Sequence, residues 1–318
     1  MFPRFDRAQG GVLNDRLAGD ISPVHDPCAI KQGGTYYVFS TGPSGADRGL
    51  IPWRTSKDLV HWTRGGSVFP ALPKWALDAV PDTKGIWAPD ISFFDGRYRL
   101  YYAVSTFGSN HSVIGLATNA TLDASAPGYG WTDEGLVFAS DTFDKYNAID
   151  PSHVVDRDGK HWLCFGSFWT GIKMIALDPA GGKPLPGAEV LSLAYRPPPP
   201  DAIEAPYMTE HDGFYYLFVS FDFCCRGANS TYNIVAGRSK DVKGPFLGPD
   251  GKEMMRGYGQ QVLVGNDRFK GPGGQSVLRD GDRYFLVYHA YDAQNNGIAT
   301  LRVSPLQWTA DGWPSVIL

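Results

Sequence analysis

Three carboxylates in this sequence stand beside a proline in the same kind of short motif. Asp26 and Asp150 each come directly before a proline, and Glu204 comes two residues before one. A single acid in such a place is usually a turn or capping residue. Three acids at corresponding points of a repeated unit would lie close together, where like charges raise one another's pKa. Because folding alone does not favour that crowding, the pattern indicates catalysis or cation binding.

The aromatic residues near these motifs favour catalysis on a sugar. Two carboxyl groups of different pKa, one protonated and one ionised, are what the hydrolysis of a glycosidic bond requires. Trp87, Phe107 and Trp169 border the motifs and could pack against sugar rings. The alternative for each ring is ordinary packing in the core or at its rim. Asp90 adds a fourth carboxylate three residues after Trp87.

A fivefold repeat explains how these residues come together. Five segments place a glycine turn before an aromatic-rich, strand-like run, and their aligned glycines are Gly34, Gly96, Gly159, Gly213 and Gly281. These glycines recur at intervals of 62, 63, 54 and 68 residues. Asp-Gly between two such runs is a strong hairpin signal, because both turn residues must reach positive φ. Each segment therefore predicts a β-hairpin.

The repeat spacing predicts an all-β fold, a five-bladed β-propeller. A four-stranded blade needs about 40–60 residues, so five blades account for the 318 residues as one domain, 1–318. The prolines at 197–200 are interpreted as a rigid loop between strands. A β-sandwich is the alternative, but it gives no reason for this repeat. The first strand of each blade lines the central channel, so the proline motifs are expected to converge at one end of the axis.

The composition agrees with a turn-rich β protein. Glycine (38) and proline (24) are plentiful and charged residues make up only 19%. The net charge of −4 gives no reason to expect nucleic acid or an anionic membrane surface as a partner. No apolar run approaches the roughly 18 residues of a spanning helix. The first residues lack a signal-peptide layout, so the protein is cytoplasmic or is secreted with its signal removed.

The four cysteines do not have the spacing of a metal site. Cys28 and Cys164 each lie in an apolar run and are predicted to be buried free thiols. Cys224 and Cys225 are adjacent. A bond between neighbours would be strained, so a disulfide and two reduced thiols both remain open.

Motifs along nearly the whole chain resemble those of the endo-1,5-α-L-arabinanases of glycoside hydrolase family 43. They are HDP at 25–27, GIWAPDI at 85–91, STFGSN at 105–110, NAIDP at 147–151, FGSFWTGI at 165–172, EAPY at 204–207, FVSFDFCCRGANSTYNI at 218–234, GRSKDVKGPF at 237–246 and YHAYD at 288–292. The fold of that family is a five-bladed β-propeller, in agreement with the repeat count.

The resemblance implies a catalytic role for each acid. Asp26 corresponds to the general base that activates water, and Glu204 to the general acid that protonates the departing oxygen. Asp150 corresponds to a third acid that orients the general acid and keeps its pKa high, because an anionic neighbour raises a carboxyl pKa. An inverting mechanism, with base and acid about 6.5–9.5 Å apart, rests on the resemblance.

The same resemblance implies substrate contacts and a metal. The residues assigned to substrate binding are Trp87, Asp90, Phe107, Asn147, Ser167 and Trp169. His289 matches a histidine near the axis that, in several relatives, helps to hold a metal usually taken as calcium, largely through water. Calcium prefers oxygen ligands, so a hydrogen-bonded channel histidine is the alternative for His289. His25 could orient Asp26 or pair with the backbone. No organic cofactor is expected.

The resulting expectation is a monomeric enzyme that cuts inside linear α-1,5-arabinan, a pectin side chain. The nearest alternative is an exo-acting arabinanase, α-L-arabinofuranosidase or β-xylosidase with the same acids. A retaining, fructan-type propeller enzyme would differ in the anomeric form of its first product. A sugar-binding propeller without catalysis is a further alternative, but the three acids argue against it.

Overall fold

Five β-sheets contain nearly all of the regular structure in the computed structural model, which describes residues 12–43 and 49–316. The first sheet, blade 1, contains β1 (Ala18–Gly19), β2 (Cys28–Gln32), β3 (Thr35–Phe39), β5 (Leu50–Ser56) and β6 (His61–Phe69). Blade 2 contains β4 (Gly42–Pro43), β7 (Gly85–Phe94), β8 (Arg97–Val104), β9 (Ser112–Asn119) and β10 (Thr132–Ser140). Blade 3 contains β11 (Ser152–Val155), β12 (His161–Phe165), β13 (Ile172–Leu177) and β14 (Leu191–Ala194).

The other two blades have four strands each. Blade 4 contains β15 (Ile203–His211), β16 (Phe214–Phe221), β17 (Asn233–Ser239) and β18 (Gln260–Leu263). Blade 5 contains β19 (Phe269–Asp280), β20 (Arg283–Asp292), β21 (Ile298–Trp308) and β22 (Pro314–Val316). The helices are α1 (Val12–Arg16), α2 (Lys74–Ala79) and the 3₁₀ turns Gly227–Asn229 and Met254–Arg256. None of the described helices is long and apolar enough to span a membrane.

The five sheets form a closed ring, which confirms the predicted propeller. The strands β2, β7, β11, β15 and β19 each contact the corresponding strands of two neighbouring blades, so they are the innermost strands. The segment between β1 and β2 joins blade 1 to blade 5, because Val24 donates its backbone N–H to the carbonyl of Ala299 and Leu301 donates to the carbonyl of Ile21. The predicted single domain of residues 1–318 extends beyond the described residues and stays a prediction.

Each pair of adjacent blades encloses its own hydrophobic cluster. Phe39 of blade 1 packs with Tyr102 of blade 2, and Phe165 of blade 3 with Tyr101 of blade 2. The remaining three clusters fill the interfaces between blades 3 and 4, 4 and 5, and 5 and 1. Because these clusters cover both faces of the sheets, second strands such as β8 and β16 are buried at all but their first residue rather than at alternate residues.

The predicted hairpins are all present, but the expected positive φ at both turn residues occurs in only two. Asp95-Gly96 and Asp212-Gly213 have φ of 50° and 72° and of 47° and 76°, respectively. In Gly33-Gly34 and Gly281-Asp282 only the first residue has positive φ. This pattern is typical of a type II′ hairpin turn, whereas positive φ at both residues is typical of type I′. Asp158-Gly159 lies in a longer loop between the paired residues Val155 and His161.

Candidate active site

The residue before the proline has the same backbone conformation in all five blades. Asp26, Ala88, Asp150, Ala205 and Gly271 have φ of 49°, 43°, 55°, 53° and 54°. Positive φ is unusual for residues with a side chain and commonly marks a strained functional position. This alignment refines the sequence prediction, because it makes Asp26 and Asp150 equivalent. Glu204 lies one residue earlier, at the position of Trp87 in blade 2.

Asp26 is held as a carboxylate by groups from blades 1 and 5. Its Oδ2 accepts hydrogen bonds from His25 Nδ1 at 2.8 Å and from Thr41 Oγ1 at 2.6 Å. Its backbone N–H donates to Nδ1 of His289 at 3.1 Å. Burial opposes ionisation of Asp26, but the charge and hydrogen bond of His25, with help from His289 and Thr41, lower its pKa to about 2.

Glu204 has the opposite electrostatic environment. The residue is 8% exposed at the start of β15. Ser167 donates to Oε2 at 2.5 Å, and the Tyr232 hydroxyl donates to Oε1. Burial raises the pKa of Glu204 to about 7, with a further increase from the negative charge of Asp26, while the Ser167 hydrogen bond opposes the shift. Glu204 is therefore able to hold a proton near neutral pH.

Asp150 differs from the anionic neighbour of Glu204 that the sequence led us to expect. Its Oδ2 accepts the backbone N–H of Ala205 at 3.0 Å. Burial, followed by the charges of Glu204 and Asp26, raises the pKa of Asp150 well above its usual range. Burial and Asp26, more than an anionic Asp150, account for the raised pKa of Glu204. Asp150 and Glu204 are accordingly expected to titrate as a pair.

The three acids meet at the central channel, as predicted. A small cavity on the axis is lined by Asp26, Asp150 and the Ala205-Pro206 segment next to Glu204. One ionised carboxylate beside one protonated carboxyl can remove a proton from water and donate another to a leaving group. The catalytic roles of these three residues stay predictions.

Three of the predicted substrate-binding residues are accessible. Phe107 is 83% exposed on the loop that joins β8 to β9, at the end of the blade where Trp87 pairs with Ala103. Trp87 and Trp169 are half-buried. Trp169 has φ of 44° in the loop after β12, close in sequence to Ser167. These rings can contact a ligand without movement of the core.

The other three predicted substrate-binding residues are buried and engaged with protein groups, so their placement does not favour direct substrate contact. Ser167 donates to Glu204. Asn147 accepts from Ser112 Oγ at 2.7 Å and donates to the Ser109 carbonyl, which holds the loop that carries Phe107. Asp90 accepts a hydrogen bond from the backbone N–H of His153 at 2.7 Å, and burial raises its pKa to about 6.

The groups around His289 do not fit a directly bound calcium ion. His289 is fully buried, and because its Nδ1 accepts the Asp26 N–H, its proton lies on Nε2. That Nε2 has no hydrogen-bond partner among the described residues. Ligand-type atoms of His25, Asp26 and His289 lie within 4.8 Å of one another. Two imidazoles and one already bonded carboxylate differ from the oxygen-rich set that calcium prefers. The expected calcium stays a prediction, and no step below depends on it.

Several side chains at this site were not identified from the sequence. Thr41 bridges Asp26 to the N–H of Ala88, and Tyr232 contacts Glu204. His25 orients Asp26, one of its two predicted roles, and its Nε2 lies 2.7 Å from the Tyr291 hydroxyl. Tyr232 and Tyr291 lie within motifs that carried the resemblance, which is the only signal that could have indicated them.

Two of the four cysteines are free thiols and two form a disulfide. Cys28 and Cys164 are buried free thiols, as predicted. Cys224 and Cys225 form a disulfide between neighbours. Cys225 Sγ lies 3.8 Å from His25 Nε2, so this disulfide is part of the rim around Asp26.

Comparison with known proteins agrees with this geometry. A model for "Glycosyl hydrolases family 43" matches residues 21–314. The chain belongs to glycosyl hydrolases family 43. This family 43 enzyme is 46% identical over 293 residues to the "Extracellular endo-alpha-(1->5)-L-arabinanase 1" of Bacillus subtilis (strain 168), and the match covers 92% of this chain and 87% of that protein.

Solved structures of both endo- and exo-acting enzymes resemble the family 43 enzyme. The endo-arabinanase from Bacillus licheniformis is 45% identical with a TM-score of 0.86, over 94% of this chain and 99% of that one. The exo-1,5-α-L-arabinanase from a bovine ruminal metagenomic library is 40% identical with a TM-score of 0.88, over 95% and 99%. The family 43 enzyme is a glycoside hydrolase with a propeller fold, as the sequence predicted.

Proposed function

We propose that this enzyme hydrolyses internal α-1,5-L-arabinofuranosidic bonds of linear arabinan with inversion at the anomeric carbon. The acid–base part of the proposal is carried by the opposite pKa shifts of two carboxyl groups at one channel mouth, and the substrate by the arabinanase relatives. The pKa of Asp26 is lowered to about 2, and that of Glu204 is raised to about 7. Between these values Asp26 is ionised while Glu204 keeps its proton, which is the state the reaction needs.

The reaction follows from these protonation states. Glu204 donates its proton to the glycosidic oxygen as the bond to the anomeric carbon breaks. A water molecule attacks that carbon from the opposite side and gives up a proton to Asp26. Asp150 holds the Ala205 N–H and so orients the segment that carries Glu204. Return of the proton from Asp26 to solvent and of a proton to Glu204 completes the cycle.

Exo action by the same acids is the second candidate. The exo-acting structure at 40% identity supports it. The higher identities of 46% and 45% are to endo-acting enzymes, and they favour internal cleavage.

We also propose that the enzyme is secreted. The Bacillus subtilis relative carries "Extracellular" in its name. The Cys224–Cys225 disulfide fits an oxidising compartment as well. The expected monomeric state and the expected lack of nucleic-acid or membrane partners stay predictions.

A time course on linear 1,5-arabinan, with product lengths resolved, tests the activity. We expect the wild type to release a spread of oligosaccharides at early times, the first products having the inverted anomeric form. Glu204→Gln should lower kcat by about 10²–10⁴-fold, because the general acid is lost. Glu189→Gln, at an exposed site before β14, is the matched control and should leave the rate unchanged.

An arabino-oligosaccharide with an acidic phenol as leaving group tests the role of Glu204 directly. Its departure needs little protonation, so Glu204→Gln should lose far less activity on it than on arabinan. An equal loss on both substrates would contradict the general-acid role. A single short product from the start would establish exo action, and no cleavage by the wild type would overturn the proposed activity.

A further inference from the structure

A large open cavity lies on blade 4, apart from the small cavity on the channel axis. Its volume is about 740 Å³, within the range typical of ligand sites. We call it the blade 4 groove and define it by Arg196, Asp222, Asn233, Tyr258, Gln261 and Lys270. None of these residues takes part in the proposed reaction.

Tyr232 links the groove to the acids. Tyr232 is one of the residues that line the groove, and its hydroxyl donates to Glu204 Oε1. The Phe221-Asp222 end of β16 and the start of β17 also line the groove. These strand ends lie at the same end of blade 4 as Glu204, because Glu204 pairs with Ser220. The groove and the channel mouth therefore share one wall and one face of the propeller.

The polar side chains of the groove are held in place by one another. Asp222 accepts hydrogen bonds from Arg196 Nη1 at 2.6 Å and from Asn233 Nδ2 at 2.7 Å. Gln261 Nε2 donates to Asn233 Oδ1 at 3.2 Å. A network of this kind presents both donors and acceptors in fixed positions, so a polar ligand loses little free energy in ordering it.

The charges of the lining favour a neutral ligand. The cations Arg196 and Lys270 are balanced by the anions Asp222 and Asp267. A groove of balanced charge does not attract an anion or a cation over the other. Donors and acceptors without a net charge match the hydroxyl groups of a carbohydrate.

One exposed aromatic ring completes the groove. Tyr258 is 43% exposed, and the Lys252 ammonium lies 4.7 Å from its ring centroid. Lys252 restrains the ring from one side, which leaves its apolar area as a platform, and Val264, 54% exposed in the same lining, adds apolar surface. Aromatic rings of this kind supply contact area at small cost in conformational entropy.

We propose that the blade 4 groove is a second carbohydrate-binding site, which holds a furanosyl segment of the polymer away from the bond being cut. The inference rests on the proposed function. A polymer that spans groove and channel gains affinity by multivalency, whereas a trisaccharide occupying only the channel does not. The groove therefore raises the preference of the enzyme for long chains.

The test compares linear arabinan with arabinotriose in Tyr258→Ala. The ratio of kcat/KM on the polymer to kcat/KM on the trisaccharide should fall about two- to tenfold, as expected for loss of one aromatic platform. The matched control is Phe93→Ala, which removes an exposed aromatic at the far end of β7 and should leave the ratio unchanged. Tyr258→Phe keeps the ring and should restore most of the preference.

Retention in gels that contain linear arabinan gives a second readout without hydrolysis. Proteins carrying Glu204→Gln are compared with and without Tyr258→Ala, and the additional change should weaken retention. If Tyr258→Ala changes neither the ratio of kcat/KM values nor the retention in the gel, the groove is not a carbohydrate-binding site. Equal losses of kcat/KM on polymer and trisaccharide would also overturn the proposal. In either case cleavage of arabinan by the wild type would leave the proposed function standing. Lack of cleavage by the wild type would instead overturn the proposed function, and this inference with it.

Discussion

Glu204 receives a hydroxyl hydrogen bond on each carboxylate oxygen, from Ser167 and from Tyr232. Such bonds favour the ionised form, and the bond from Ser167 works against the burial that raises the pKa of Glu204. The balance leaves the pKa at about 7. A general acid with this pKa is protonated in mildly acidic solution and loses its proton as the pH rises through about 7.

Ser167→Ala should therefore move the alkaline limb of the pH–activity profile to higher pH. Removing the hydroxyl removes a hydrogen bond that favours the carboxylate, so the pKa of Glu204 rises and the acid stays protonated further into the alkaline range. The measurement is kcat/KM on arabinan as a function of pH. Ser192→Ala, which removes a hydroxyl on the outer strand β14, should leave the limb in place. A shift to lower pH would contradict this account of Glu204.

At the scale of the strand, close packing at the channel mouth depends on backbone conformations that few residues adopt. Gly274 of β19 has φ of 55°, and a Cβ placed there would lie 2.6 Å from Asp26 Oδ1 and 2.9 Å from the ring of His289. Gly281, the first turn residue after the same strand, has φ of 63°, but a Cβ there would meet nothing within 4 Å. Both glycines thus need a positive φ, but only Gly274 has other atoms packed against it.

Gly274→Ala should lower kcat by about 10²-fold or more, because displacing Asp26 by a fraction of an ångström to an ångström misplaces the attacking water. Gly281→Ala is the matched control, since both changes impose about 1–2 kcal/mol of backbone strain. The measurements are kcat on arabinan and the midpoint of thermal unfolding for both variants. Equal activities in the two variants would show that contact with Asp26 has no effect on the reaction.

At the scale of the whole molecule, the ring of blades is closed by the segment before blade 1. Asn14 of α1 is buried and donates to Ser304 Oγ at 2.5 Å and to the Tyr288 hydroxyl at 3.2 Å. Its Oδ1 accepts the backbone N–H of Val303 at 2.9 Å. One side chain thus bonds the start of the described chain to two strands of blade 5.

Asn14→Ala should lower the free energy of unfolding by about 2–3 kcal/mol, because it leaves buried donors and acceptors of blade 5 without partners. Arg16→Ala, at an exposed position of the same helix, is the control and should change stability by less than about 0.5 kcal/mol. Denaturant unfolding measures both. A loss for Asn14→Ala no larger than that of the control would mean that these hydrogen bonds do not hold the ring closed.

The sequence by itself determined the features that depend on residues adjacent along the chain or on the repeat. Hairpin turns follow from Gly and Asp-Gly between strand-like runs, and their spacing predicted five blades. The prolines that mark the innermost strands predicted where Asp26, Asp150 and Glu204 meet. Cys28 and Cys164 were recognisable as buried thiols from their apolar surroundings. Each of these depends on local backbone preference or on a repeat, and both can be read along the chain.

Only the tertiary structure decided which groups surround each acid. The backbone of Asp26 bonds to His289, 263 positions away, and Ser167 reaches Glu204 across 37 positions. Sequence motifs assigned Ser167, Asn147 and Asp90 to the substrate, whereas the fold buries all three among protein groups. The pKa of Asp150 depends on its burial and on the charges of Glu204 and Asp26. Burial and distances between charges are properties of the closed ring, so they appear only when five blades bring remote residues to one axis.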